Sequence, residues 1–200
     1  MAVGWKVIRG VMLNLIGIRT AEEPAFAIIT RLSPEAEIRL YAPRLAAETA
    51  MEDGSEAATN AAFRRLAGYI FGANSAKGDI AMTAPVETSP EIAMTAPVEM
   101  ATRDGKPVMR FFLPAVLTRD KAPAPDDPAV LLTPVPEQKL AVLRFSGGSG
   151  PERVAEKTAE LRALLSLEGQ QTAAPARLYR YDPPMTPPFL RRNEVAIPLD

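Results

Sequence analysis

Ile80-Ala81-Met82-Thr83-Ala84-Pro85-Val86-Glu87 is repeated without change as Ile92-Ala93-Met94-Thr95-Ala96-Pro97-Val98-Glu99, with Thr88-Ser89-Pro90-Glu91 between the copies. The offset of twelve residues is even, so an extended chain points equivalent side chains of both copies to the same side. Ile80, Met82, Ala84 and Val86 then share one face, and Ala81, Thr83 and Pro85 the other. Each proline removes a ladder donor, which confines that end to an edge, a bulge or a strand terminus. Read alone, the repeat is a local duplication that builds a β-hairpin. Its flanks decide whether it means more.

Upstream, Ala25–Thr30 and Glu37–Tyr41 read as strands around a Ser33-Pro34 turn, and Arg44–Met51 extends the second beyond Pro43. A helix follows, with Ser55 as N-cap and Gly72 as its C′ stop. Ala62, Leu66, Tyr69 and Ile70 share one face of it and are expected to pack inward. Downstream, Pro107–Leu113 is a strand and the Pro-rich run 118–128 a candidate midpoint linker. Val130–Leu132 and Gln138–Phe145 are strands, and Ser146–Pro151 leads into a second helix with Pro151 at N1 and Gly169 at C′. Val154, Leu161, Leu164 and Leu165 supply the buried stripe of that helix. Arg177–Tyr181 and Asn193–Pro198 close the chain as strands. Gly147–Gly150 lacks the spacing of a phosphate cradle and reads as a strand-to-helix turn. Strands, helix, strands, linker, strands, helix, strands: this is an α+β layout with antiparallel sheet, in two similar halves.

Composition narrows the chemistry. The chain is 47% hydrophobic and 24% charged, which is globular, and its net charge of −1 gives no pull toward nucleic acid. It has no cysteine, which excludes disulfides and thiolate chemistry. It has no histidine either, which removes the commonest general base, the commonest metal ligand and the usual axial ligand of heme iron. Fourteen of the twenty prolines follow residue 106, so the second half should be rich in loops and short strands. Near the start, Val3, Val7, Val11, Leu15 and Ile18 recur at helical spacing, so residues 1–20 are expected to form a retained amphipathic helix. A signal segment or membrane-surface anchor is the alternative. Residues 24–200 are expected to form one domain, with halves of about 24–117 and 129–200. A cytoplasmic monomer is the expectation, with a periplasmic or membrane-surface setting as the alternative.

Four segments occur in a telling order: Tyr69-Ile70-Phe71-Gly72-Ala73-Asn74, the octapeptide copies, Phe111-Phe112-Leu113-Pro114, and Tyr181-Asp182-Pro183-Pro184 with Arg191-Arg192-Asn193-Glu194-Val195. Together they resemble the SOUL heme-binding protein family, from about Pro24 to Pro198. The resemblance implies a distorted antiparallel β-barrel of two pseudo-symmetric halves, each with one long helix. It also implies reversible binding of heme or another tetrapyrrole without a reaction. Some family members are thought to use a histidine ligand, which this chain lacks; others hold the ring by apolar contact, with basic side chains near the propionates. Contacts of that second kind lie on the first helix and on a loop near the C-terminus.

Both regions offer candidates here. Opposite its buried stripe the first helix presents Asn60, Arg64, Ala67, Gly68 and Phe71, with Phe63 at the boundary. Ala67 and Gly68 would leave a flat step for a planar ring, and Arg64 could pair with a carboxylate. The plainer reading is a solvated helix face with a stray phenylalanine. The loop from Tyr181 to Arg192 presents Met185, Phe189 and Leu190 beside Arg191 and Arg192. Met185 stands where family members often carry an aromatic residue; it is either a gap-filler or a thioether donor to iron. Asn193 and Glu194 are expected to fix the loop by hydrogen bonds.

A tetrapyrrole carrier or sequestering protein is therefore the leading expectation. A small-molecule effector-binding module of gyrase-inhibitor-like fold is the alternative, with its ligand in a cleft between the halves. An enzyme acting on tetrapyrroles is a third, with Tyr181 and Glu194 its one acid–base pair worth testing. The octapeptide, with no ionisable group but its terminal glutamates, is assigned to scaffold.

Overall fold

A computed structural model describes residues 22–81, 83–88, 106–170, 172–182 and 186–199. The expected N-terminal helix, the second octapeptide copy, and Met82 and Met185 lie outside these residues. The strands are β1 (Phe26–Arg31), β2 (Ala36–Tyr41), β3 (Arg44–Ala50), β4 (Val86–Thr88), β5 (Val108–Phe112), β6 (Leu131–Val135), β7 (Gln138–Phe145), β8 (Arg177–Arg180) and β9 (Asn193–Leu199). Two helices interrupt them, α1 (Glu56–Ile70) and α2 (Pro151–Leu167). All nine strands join one antiparallel sheet in the order β1-β2-β7-β9-β8-β4-β5-β3-β6. No helix among the described residues is long and apolar enough to cross a membrane.

The sheet curls into a half-barrel, the form that the expected barrel takes here. Among the described residues β1 and β6 each pair on one side only. The two ends of the sheet are tied by Ala42-Pro43, between β2 and β3, and by Pro136-Glu137, between β6 and β7.

Strand alternation sorts the sheet into two faces. One cross-strand row runs Ala47, Phe111, Val86, Arg180, Asn193, Phe145 and lies under the helices. α1 buries Ala62, Leu66, Tyr69 and Ile70 against Leu45, Ala47, Met109 and Phe111. α2 buries Val154, Leu161 and Leu165 against Ile38, Leu143, Val195 and Ile197, with Leu164 partly buried. Both inward stripes are those that helical spacing predicted.

The helix ends also follow local chemistry. The Ser55 hydroxyl accepts from the Ala58 N–H at 3.2 Å, and Gly72 takes the left-handed φ of +102° just past the end of α1. α2 starts on Pro151 and stops before Gly169, at φ +69°.

Two readings change. In the first octapeptide only Val86–Glu87 is strand, while Thr83, Ala84 and Pro85 are buried in succession, so the expected alternation fails. The Thr83 hydroxyl donates to the Phe112 carbonyl and the Ala84 N–H to the Glu22 carbonyl, so this stretch runs as a buried crossing. The 118–128 segment, expected as a linker, is pinned against the end of α1. Tyr69 Oη donates to the Pro123 carbonyl at 2.9 Å, and Ser75 and Ala124 exchange bonds of 2.8 and 2.9 Å.

Candidate functional site

The outer face of α1 is built from what its inner face leaves over. Asn60, Phe63, Arg64 and Phe71 are exposed, and Ala67 and Gly68 half-buried. Phe63 rests edge-on against Phe111 at 5.3 Å between ring centres, which fixes one ring at the border of the face. Phe71 caps the helix with 56% of its surface exposed, large for an aromatic residue. Arg64 has no ion-pair partner among the described residues.

Gly68 is the informative position. A Cβ added there would meet only the Ala73 Cβ, at 4.0 Å, which is ordinary contact. Its backbone is helical, so neither packing nor conformation demands glycine. Glycine inside a helix is about 1 kcal/mol worse than alanine. The step beside Phe71 therefore exists at the expense of helix stability.

The loop candidates sit just before β9. Pro188–Leu190 form a short 3-10 turn in which Phe189 is 75% exposed. The Pro188 carbonyl accepts from the Gly147 N–H at 3.0 Å, Asn193 Nδ2 donates to the Gly147 carbonyl at 3.1 Å, and Asp182 accepts from the Arg192 N–H at 2.6 Å. Arg191 Nε donates to the Thr186 carbonyl at 2.7 Å. These bonds hold the loop beside the turn that enters α2, whereas α1 lies on β3 and β5. The structure thus sets Asn60, Phe63, Arg64, Ala67, Gly68 and Phe71 on α1, and Phe189 with Arg191 on the loop beside the turn that enters α2.

Sequence reading missed the face of the sheet opposite the helices. The cross-strand row there is Glu48, Arg110, Glu87, Tyr179, Glu194, Arg144. Glu48, Glu87 and Glu194 are all buried. Arg110 bridges Glu48 Oε2 at 2.5 Å and Glu87 Oε1 at 2.9 Å. Glu194 accepts from Arg39 Nη1 at 3.0 Å, Tyr181 Oη at 2.6 Å and Arg192 Nη2 at 2.8 Å. Arg192 also pairs with Glu23 at 2.9 Å and lies 3.8 Å over the Tyr181 ring. Burial pushes the Tyr181 hydroxyl well above the ordinary phenol range, and the Glu194 charge pushes the same way. Burial opposes the Arg39 charge, but Glu194, Tyr41 and Glu37 together more than offset it, leaving that guanidinium above its ordinary value.

A signal for this row was present. Glu37-Ile38-Arg39-Leu40-Tyr41, Ala47-Glu48-Thr49 and Met109-Arg110-Phe111 each set isolated charges among apolar strand residues, and Glu48 and Arg110, of opposite sign, lie on strands that become neighbours. Pairing order was the missing information.

The tyrosine and glutamate considered as an acid–base pair are therefore locked together. Every contact of Glu194 is a donor already engaged, and its side chain is fully buried. No group of three or more residues able to hold a metal occurs among the described residues. The α1 face suits a planar apolar ring, since it offers aromatic edges, a small-residue step and one cation, and no imidazole or thiolate for iron.

Known proteins agree with this architecture. In fold, the chain is similar to the C-terminal domain of EcmrR, with a TM-score of 0.60 at 8% identity over 83% of this chain and 97% of that one. It is also similar to a protein from Listeria innocua described as a hydrolase, with a TM-score of 0.58 at 12% identity over 86% and 94%. At such identities the likeness is one of fold. No curated protein matches the sequence. The model of one family, the SOUL heme-binding protein, matches residues 21–198. With nearly its whole length matched, the chain belongs to the SOUL heme-binding protein family.

Proposed function

We propose that this protein binds a tetrapyrrole, as heme or metal-free porphyrin, and sequesters or carries it without reacting with it. The observation that carries this reading is the Gly68 step beside exposed Phe71, glycine where neither packing nor backbone requires it. The ring would lie across Ala67 and Gly68, edged by Phe63 and Phe71. Arg64 would pair with a propionate, with Asn60 beside it. Phe189 and Arg191, with Met185, would form a second wall contributed by the Pro-rich loop.

With no histidine in the chain, the ring would be held by apolar contact and its carboxylates by arginine. Heme, when bound, would supply its iron and colour; the protein supplies surface and charge. The locked state of Tyr181 and Glu194 supports a non-enzymatic reading. We further take residues 24–200 as one domain of two pseudo-symmetric halves, acting as a monomer with a small-molecule partner and no nucleic acid.

Titration with hemin and with metal-free protoporphyrin tests the proposal. Both should bind, within roughly tenfold of each other, a difference of about 1.4 kcal/mol. Arg64→Ala should weaken both by about two- to fivefold, the scale of an exposed ion pair. No Soret shift and no fluorescence quenching at micromolar ligand would sink the reading.

A further inference from the structure

A cavity of about 630 Å³ opens where the two ends of the sheet are tied, away from the α1 face. Its walls are mainly apolar, including Pro24, Leu45, Leu113, Pro134 and Val135. Such a volume suits a small organic ligand.

The polar content of the cavity is unusual in one respect. Glu23 is neutralised by Arg192, and Glu22, at the exposed rim, accepts the Ala115 N–H at 2.9 Å. Arg119, also at the rim, is exposed and has no ion-pair partner among the described residues. Arg44 is different. Its guanidinium lies 4.9 Å from the Tyr41 ring centre and 4.6 Å from that of Phe112, so its plane is fixed by two rings.

Among the described residues no carboxylate pairs with Arg44. Its Nη2 donates to Gln138 Oε1 at 3.3 Å, and its Nη1 reaches only the Ala42 carbonyl, at 3.5 Å. That second contact lies beyond the usual hydrogen-bond range. Among the described residues its buried Nε has no partner. The other buried or half-buried arginines on this face, Arg39, Arg110, Arg177 and Arg192, all have a glutamate within 4.0 Å, and Arg144 is exposed to solvent. Arg44 is a rigidly held cation, spared a counter-ion, against an apolar cavity.

We propose that this cavity is a second ligand site, for a small amphipathic monocarboxylate whose carboxylate pairs with Arg44 and whose hydrocarbon body fills the cavity. Arg119 at the rim adds attraction for an anion entering. Glu22, the one carboxylate there without a cation partner, sits where water and salt screen it. The site is separate from the tetrapyrrole surface and does not depend on that assignment.

Calorimetric titration with decanoate, decylammonium and decanol, below their micellar concentrations, tests the proposal. The variants are Arg44→Gln and Ala115→Trp. The second places a bulky ring on an exposed wall residue and leaves Arg44 intact, so a fold loss in Arg44→Gln does not blunt the test. Decanoate should bind at least tenfold tighter than decylammonium or decanol, and both variants should weaken it at least tenfold. Hemin binding should be unchanged in Ala115→Trp. Equal or tighter binding of decylammonium would overturn the proposal in favour of a cation site read by Glu22. No decanoate binding at about 1 mM would overturn it outright. Loss of hemin together with decanoate in Ala115→Trp would overturn the separation of the two sites.

Discussion

Tyr179 and Glu194 are opposite one another on β8 and β9 and equally buried, yet their polar atoms fare differently. Glu194 is surrounded by donors; the Tyr179 hydroxyl has no hydrogen-bond partner among the described residues. Removing a satisfied charge and removing an orphaned hydroxyl should therefore act in opposite directions. Glu194→Gln leaves Arg39 and Arg192 facing each other without their shared counter-ion, and should destabilise by about 3–5 kcal/mol. Tyr179→Phe should be neutral or stabilise by up to about 1 kcal/mol. Urea midpoints of both variants check this. The tyrosines also set an alkaline limit. Tyr179 is pushed up by burial and by the Glu87 charge, Tyr181 by burial and Glu194, and Tyr41 by burial. Unfolded tyrosines release protons near pH 10, while the folded chain holds them to higher pH. Above that point the native state binds more protons than the unfolded, so stability, full below about pH 10, should fall as pH rises. Denaturant curves at pH 8 and pH 11 measure the loss, which should be smaller in Tyr179→Phe.

Among the elements, α1 was legible and the octapeptide was not. The inward stripe of α1 follows from its 3.6-residue period, and its ends from Ser55 and Gly72, which act through bonds within a few residues. The course of the octapeptide depends on distant partners, the Phe112 and Glu22 carbonyls, which no local pattern announces. The outer face of α1 lies between these cases: spacing names its residues, but only the space around Gly68 shows that the glycine is unneeded for packing. Gly68→Ala should raise stability by about 0.5–1 kcal/mol and weaken hemin binding by narrowing the step. Thermal unfolding and the hemin titration measure the two effects. Stability gained with affinity unchanged would detach the step from ligand binding.

Across the molecule, the halves that the sequence suggested share one sheet, joined by pairing of β2 with β7 and of β4 with β8. The unfolding transition should therefore be single and coincident by near- and far-ultraviolet circular dichroism; two separated transitions would show halves that unfold alone. The layout of two helices on one antiparallel sheet was readable from element order. The open form was not, because closure depends on what meets at the sheet ends. There, Tyr41 is followed by Arg44 across Ala42-Pro43, and Val135 by Gln138 across Pro136-Glu137. Among the described residues no ladder joins the edges themselves, so widening the seam breaks no backbone bond between them there. Each tie spans three Cα steps, roughly 10 Å when fully extended. The cavity at the seam is thus elastic over a short range and then taut, admitting guests of differing girth up to a limit set by chain length instead of by packing.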